Sequence, residues 1–574
     1  MLFELFVQRS VTMKFSEMPY TRPNYSALFQ QIDAMTAQLS SASAEKQLEI
    51  YHQMEKLEST VVTQATICEI RNSINTRDQF YEAEQAYNDE HSPMLDEHMQ
   101  AFKKALLHST HRTELKKALG SMLFQKLEME QKSFSPEIVP LLQEENHLVN
   151  AYQKLYASAA ISFDGKTCTL SQLGPYLQNT DRSVRRSAAE AYGDFFDAHR
   201  EEFDTLYDKM VKNRTEQAHK LGFANFEELS LLRRNRIGYS IEDIRSFRKE
   251  VVRDLVPITV EIKKRQAKRI EIPDFSFYDN ELKFKDGSAV PQGTPKEIMQ
   301  AGKKMYTELS AETAEFIDQM FRMDLFDVLA KKGKAPGGYC TDLPDYHCSF
   351  IFSNFNGTSG DVDVLTHEAG HAFASFVAQR TVPLLALRDP SYETAETHSM
   401  SMEFLTAPWH SLFFGDQTDK YELTHAEDAL TFIPYGCLVD HFQEEVYLHP
   451  EMTPEERNQT WLRLEKLYRP YVNFADLPFF ARGAGWQRQL HIYMDPFYYI
   501  DYCLAQTMSL QFFNASNYDR KDTWKRYIKF VKQGGTASFV DLAHSVGFRS
   551  PLDKGCVYSV CQETAKWLEV HAVQ

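Results

Sequence analysis

The sequence has no CxxC pair, no block of Lys and Arg interleaved with aromatics, and no apolar run approaching the roughly 18 residues of a membrane span. Each absence closes off a class of protein. The eight cysteines, at positions 68, 168, 340, 348, 437, 503, 556 and 561, are scattered along 574 residues. That spacing suits neither a disulfide framework nor a cysteine-zinc knuckle, and a reducing, cytoplasmic setting is the expectation. A net charge of -17, with no basic stretch interleaved with aromatics, argues against a nucleic-acid partner, because phosphate binding needs a basic surface. Without a long apolar run, no membrane partner is expected either. The first residues, Met1 to Gln8, are only briefly apolar and are interrupted by Glu4. No basic n-region precedes them and no small-residue cleavage site follows. Met13 is the expected start, with the first twelve residues an extension. No fixed-period repeat and no GxxxxGK[ST] phosphate cradle occurs.

What is there belongs to a globular protein with a sizeable core: 43% hydrophobic and 25% charged residues. The length allows two domains, or one large body with an added lobe. Aromatics make up 13%, mostly for core packing, with a minority available to line a peptide-binding cleft.

From about Tyr25 to Val260 the chain reads as almost continuous amphipathic helix. Apolar residues recur at three- and four-residue intervals in Ser43–Thr60, His98–Lys117 and Ser183–Leu221. Thr180-Asp181 and Ser240 mark helix starts. Ile272–Pro295, rich in Pro, Gly and Phe, predicts a loop-and-hairpin insertion. Helical pattern resumes over Lys296–Lys332. Next come a glycine-rich loop, Gly333–Tyr339, and the best strand candidate in the chain, Ser349–Phe355. The loop fits either a mobile segment over substrate or an ordinary turn. The remainder is again helical.

The sharpest motif is His367-Glu368-Ala369-Gly370-His371, inside a segment of helical spacing, Asp363–Arg380. Positions i and i+4 share a helix face, so both imidazoles can reach one ion. Glu368, offset by about 100°, can stand beside that ion and act on water. This is the logic of the HExxH zinc site. A surface helix with two incidental histidines is the bland alternative. A catalytic zinc needs a third protein ligand, and the next candidate helix, Ser391–Leu405, offers Glu393, Glu396 and Glu403. Glu396 and Glu403 are seven apart and share a face, so one can bind metal while the other supports it. Spacing alone does not choose among the three. Asp361 and Asp363 read as a helix cap and a solvated turn, with Asp361 a candidate for supporting the ligands. Further on, His491 precedes Tyr498, Tyr499 and Tyr502, on a helix expected to start near Pro496.

The HEAGHA stretch, followed by Glu396 25 residues after His371, resembles the thimet oligopeptidase/oligoendopeptidase F family, closest to its bacterial oligoendopeptidase F and Pz-peptidase branch. The resemblance implies a mainly α fold: a two-lobed helical ellipsoid with a small β-sheet beside the zinc helix and a deep substrate channel. It implies one zinc ion per chain, held by His367, His371 and Glu396, with Glu368 as general base. Glu393 is the competing third ligand. The family's histidine-then-paired-tyrosine stretch implies that Tyr499 and Tyr502, with His491, stabilise the transition state. The interval from histidine to tyrosine is about one residue short, which leaves Tyr498 as an alternative to Tyr499. The strand Ser349–Phe355 would be an edge strand that pairs with an extended peptide. An ordinary buried strand is the alternative.

The function so implied is a zinc-dependent endopeptidase acting on short, unstructured peptides. Its expected division is an N-terminal helical domain over residues 1–195 and a catalytic domain over 196–574. A zinc aminopeptidase and a non-catalytic peptide-binding protein of the same fold are the alternatives. No GxMEN-like segment supports the first, and every expected catalytic residue type is present against the second.

Overall fold

The computed structural model describes residues 13–335, 337–474 and 476–572, so the expected twelve-residue extension lies outside the described residues, as does Pro336 of the glycine-rich loop. The chain is mainly helical. Its strands are β1 (Ile161–Phe163), β2 (Lys166–Cys168), β3 (Phe326–Leu329), β4 (Tyr339–Leu343) and β5 (Cys348–Phe355). The helices that matter below are α1 (Ala44–Ile74), α2 (Gln79–Leu107), α3 (Ser121–Lys132), α4 (Arg182–Ala198), α5 (Arg200–Lys220), α6 (Val256–Arg269), α7 (Gly360–Thr381), α8 (Tyr392–Leu405), α9 (Thr418–Leu448), α10 (Tyr499–Ser516) and α11 (Arg520–Val531). Expected helix starts are found where they were read. Asp181 accepts the Ser183 amide at the head of α4, and Ser240 forms a capping box with Asp243. Two expected continuous helices are each broken once, by a turn after Leu107 and by a kink at His199.

Two compact units are built from interleaved stretches of chain. The first comprises residues 1–132, 290–418 and 515–548, the second 133–289, 419–514 and 549–574. In the first unit, a core cluster joins the N-terminal helices to the end of α7 through Ile50, Met54, Phe102, Leu106, Leu123 and Ala378. A three-stranded sheet lies against α7 in strand order β3-β5-β4. β5 runs parallel to β3 and antiparallel to β4, with Cys340 opposite Ile351 and Asp342 opposite Ser349.

Ser349–Phe355 is therefore a strand, as expected, but the central one and not an edge. Seven of its eight residues are buried. A strand flanked on both sides and covered on both faces has no reason to alternate polar and apolar residues, hence the run Cys-Ser-Phe-Ile-Phe. The edge positions fall to β3 and β4. The loop before β4 is held down: Lys334 Nζ reaches the carbonyls of Asp327 and Leu329 and the Asp327 carboxylate, and the Ala335 amide donates to Ser73 O at 2.8 Å. That observation favours the ordinary turn.

The hairpin expected at Ile272–Pro295 is absent among the described residues. Pro273, Pro291 and Pro295 lack ladder donors, and the segment is organised instead around the buried carboxylate of Asp279, which takes Arg185 Nη2 at 2.7 Å and Arg182 Nη2 at 2.8 Å. The hairpin is β1–β2, turning through Asp164 and Gly165, both at positive φ (51° and 68°). Asp-Gly between two short strands is the turn signal for that geometry.

Candidate metal centre

α7 and α8 pack closely because α7 carries Gly370 at the crossing. A Cβ there would lie 2.6 Å from the Ser399 Cα and 3.1 Å from the His398 carbonyl oxygen. The connection between the two helices is fixed from outside. The Leu385 amide donates to Glu55 Oε1 (2.8 Å), Lys126 Nζ to Asp389 O (2.6 Å), and the Gly535 amide to Leu387 O (2.8 Å).

That packing brings His367, His371 and Glu396 together. His367 Nε2 lies 3.3 Å and His371 Nε2 3.6 Å from Glu396 Oε2, and the three donor atoms fall within 4.8 Å of one another. Tetrahedral ligands at zinc–nitrogen and zinc–oxygen bond lengths sit about 3.3–3.5 Å apart along each edge, so the residues fit the ion. Among the described residues this is the one such grouping of His, Cys, Asp and Glu. Glu403 stands behind it: its Oε1 lies 2.7 Å from His367 Nδ1, so the tautomer protonated on Nδ1 would turn its Nε2 lone pair to the cluster. Glu393 is fully buried in the same helix and is not part of the grouping.

Burial alone would lower the pKa of His367, but hydrogen bonds to Glu396 and Glu403 outweigh it and hold the imidazole cation well above its ordinary range. Burial would raise Glu396, and the two imidazoles pull it far below a normal carboxylate. Both shifts describe a pocket that favours positive charge. Glu368 stands apart. Its half-buried carboxylate has no hydrogen-bond partner among the described residues, and burial pushes it up against the opposing pull of His367 and His371. Asp361 is not the helix cap. Its carboxylate takes the Asn356 and Gly357 amides (both 2.8 Å) and so shapes the entry to α7.

The tyrosines form a second cluster, in the other unit. The His491 ring centroid lies 5.4, 5.1 and 6.0 Å from those of Tyr498, Tyr499 and Tyr502. α10 starts at Tyr499 and not near Pro496, because Phe497 sits at φ 64°, a left-handed conformation that a helix cannot contain. Arg236 clamps this start, donating to Phe497 O at 2.5 Å and to Asp501 Oδ1 at 3.0 Å. No spacing rule pointed to Arg236. Tyr499 is nearly buried, with its ring 6.0 Å from that of Tyr435, whereas Tyr498 is more open and lies under the Arg234 guanidinium at 4.7 Å.

Residues 15–134 match the peptidase M3 N-terminal domain model, and residues 175–559 match peptidase family M3. The chain belongs to peptidase family M3. It is similar to Pz-peptidase A with an inhibitor, at 44% identity and a TM-score of 0.93, over 97% of this chain and 99% of that one. A Bacillus anthracis protein assigned to oligoendopeptidase F is 42% identical with a TM-score of 0.89, over 97% and 98%. An oligoendopeptidase F homolog from Borreliella burgdorferi is 26% identical over 211 residues, and that match spans 34% of either chain. Membership of the M3 family makes the chain a peptidase with a mainly helical fold. Among the described residues no helix is long and apolar enough to cross a membrane.

Proposed function

We propose that the chain is a zinc-dependent endopeptidase that hydrolyses internal bonds of short, unstructured peptides. The observation that carries this is the convergence of His367 Nε2, His371 Nε2 and Glu396 Oε2 beside a Glu368 carboxylate that has no hydrogen-bond partner among the described residues. His367, His371 and Glu396 would hold the ion, which supplies Lewis acidity toward water and the peptide carbonyl. Glu403 keeps His367 in the tautomer that binds. Glu368 takes the proton from the attacking water and returns it to the leaving amine. A carboxylate without a hydrogen-bond partner among the described residues is available for both halves of that transfer. Tyr499 and Tyr502 donate hydrogen bonds to the oxyanion, with His491 holding the pair in place. β4, an edge strand, and not the central β5, is where an extended substrate backbone would add as a strand. The candidate catalytic residues all fall within 196–574, which we retain as the catalytic segment, with 1–195 as the N-terminal helical part.

The test is cleavage of an internally quenched peptide blocked at both ends, with zinc content measured on the same sample. Glu368→Gln should keep about one zinc per chain and lose activity by roughly 10²–10⁴-fold, the range of a general base. Wild-type protein that leaves the blocked peptide intact while cutting an unblocked one would replace this reading with an aminopeptidase.

A further inference from the structure

The second unit holds a guanidinium that no carboxylate approaches to ion-pair distance among the described residues. Arg488 ends a short 3-10 turn, Ala484–Arg488, and is half-buried. Its Cζ lies 5.8 Å from the Phe277 ring and 5.9 Å from that of Tyr435, and its electrostatic neighbours include Tyr192, Tyr499 and, beyond ion-pair distance, Glu465, whose carboxylate Arg469 holds. Among the described residues it makes no hydrogen bond and has no carboxylate within 4.0 Å. Its neighbours in the same unit are matched. Arg469 takes both oxygens of Glu465, Arg236 pairs with Asp501, Arg269 with Glu427, Arg248 with Asp440 and Glu444, and Arg214 with Glu145.

An arginine presents five donors in a planar fork, and aromatic faces satisfy its charge but none of those donors. Keeping such a group half-buried and unbonded is costly unless something else completes it. The surroundings hold the fork still. Tyr435 donates its hydroxyl to Gln489 Oε1 at 2.7 Å, which fixes the ring beside Arg488 and the backbone next to it. The same ring packs edge-on against Tyr499 at 6.0 Å, and the Tyr499 hydroxyl has no hydrogen-bond partner among the described residues. A planar fork and an uncommitted phenol therefore flank one aromatic ring.

We propose that Arg488 recognises a carboxylate of the bound peptide, either its C-terminal α-carboxylate or an acidic side chain, next to Tyr499. The fork matches a carboxylate with two parallel hydrogen bonds, a geometry that a lysine cannot reproduce. This rests on the reading of Tyr499 as a group that faces substrate. It adds a specificity: a peptide would be held by its charge as well as by its backbone.

The test compares three labelled peptides of one sequence: a free C-terminal acid, its amide, and the amide with one Glu introduced near the C-terminus. Binding is measured by fluorescence anisotropy on full-length, zinc-loaded Glu368→Gln protein. No turnover is needed, so a failure of the peptidase reading leaves this measurement intact. One of the two acids should bind about 10-fold or more tighter than the plain amide, the size of a hydrogen bond to a charged group. Which acid wins assigns the source of the carboxylate. The preference should vanish with Arg488→Met and survive only in part with Arg488→Lys, which also serves if the methionine variant fails to fold. Equal binding of all three peptides, or a preference that persists in both variants, overturns the proposal.

Discussion

Glu403 touches no ligand position itself, yet it decides which nitrogen of His367 is available. Its Oε1 takes the Nδ1 proton at 2.7 Å. Replacing it with Ala should weaken zinc binding by about 10–100-fold, the usual loss when a partner behind a metal-binding histidine is removed. Competition with a zinc-sensitive chelating dye reads this directly, and an unchanged affinity would mean that Glu403 does nothing for the tautomer. A second residue-scale prediction concerns Lys263 of α6. Burial lowers its pKa to about 7, with the Lys283 charge adding to the effect. An unfolded lysine titrates near 10.4, so between about pH 7 and 10 the unfolded chain binds the extra proton and this residue adds stability as pH rises. Below about pH 7 the folded chain must protonate a buried amine or go without, and the contribution is gone. Lys263→Met should therefore gain most over wild type in thermal midpoint at pH 6 and least near pH 9. A difference that is flat with pH would show that Lys263 does not titrate in that window. At this scale the pairing of His367 with His371 was legible in the sequence, because the i, i+4 rule fixes which two histidines share a face. The choice among Glu393, Glu396 and Glu403 was not, since all three lie on one short helix and only the crossing with α7 selects. Arg236 and Arg488 left no trace in spacing, because the groups around them lie far away along the chain.

At the scale of elements, the α7–α8 crossing is set by one missing side chain. Gly370→Ala would place a methyl 2.6 Å from the Ser399 Cα, which is backbone and cannot swing aside. The helices must separate, at a cost of about 1–3 kcal/mol typical of overpacking. Because Glu396 and Glu403 both ride on α8, zinc affinity should fall in the same variant that melts earlier. Calorimetry with and without zinc tests the link, and a variant that melts early but binds zinc normally would break it. The sequence marked Ser349–Phe355 as a strand because its residue types are β-formers. It could not mark the strand as central, since a fully buried strand and an edge strand share those types and differ only in what lies alongside. The β1–β2 hairpin carried a readable signal in Asp164-Gly165, and the aromatic- and proline-rich segment that follows α6 drew the hairpin assignment instead.

At the scale of the molecule, an ion held by His367, His371 and Glu396 would tie stability to two helices of the first unit. Anything that binds the folded chain alone stabilises it by mass action, about 2.7 kcal/mol at a free concentration one hundred times Kd. Removing metal with a chelator should therefore lower the unfolding midpoint, and restoring zinc should recover it. Differential scanning fluorimetry across a zinc titration checks this, and a midpoint indifferent to zinc would detach the site from the fold. The helical character of the whole was legible from apolar periodicity, but the interleaving of the two units was not. No local pattern tells residues 290–418 to fold with 1–132 and 515–548.

That interleaving has a consequence for how the protein is made. By the time a ribosome has added Glu403, every group that would touch the ion has been synthesised. The support behind them has not. The His398 carbonyl waits for the Tyr527 hydroxyl (2.9 Å), and the Leu387 carbonyl waits for the Gly535 amide (2.8 Å). A nascent chain halted before residue 515 carries His367, His371 and Glu396 without the contacts that support their helices, so competence to bind metal would arrive in the last stretch of translation.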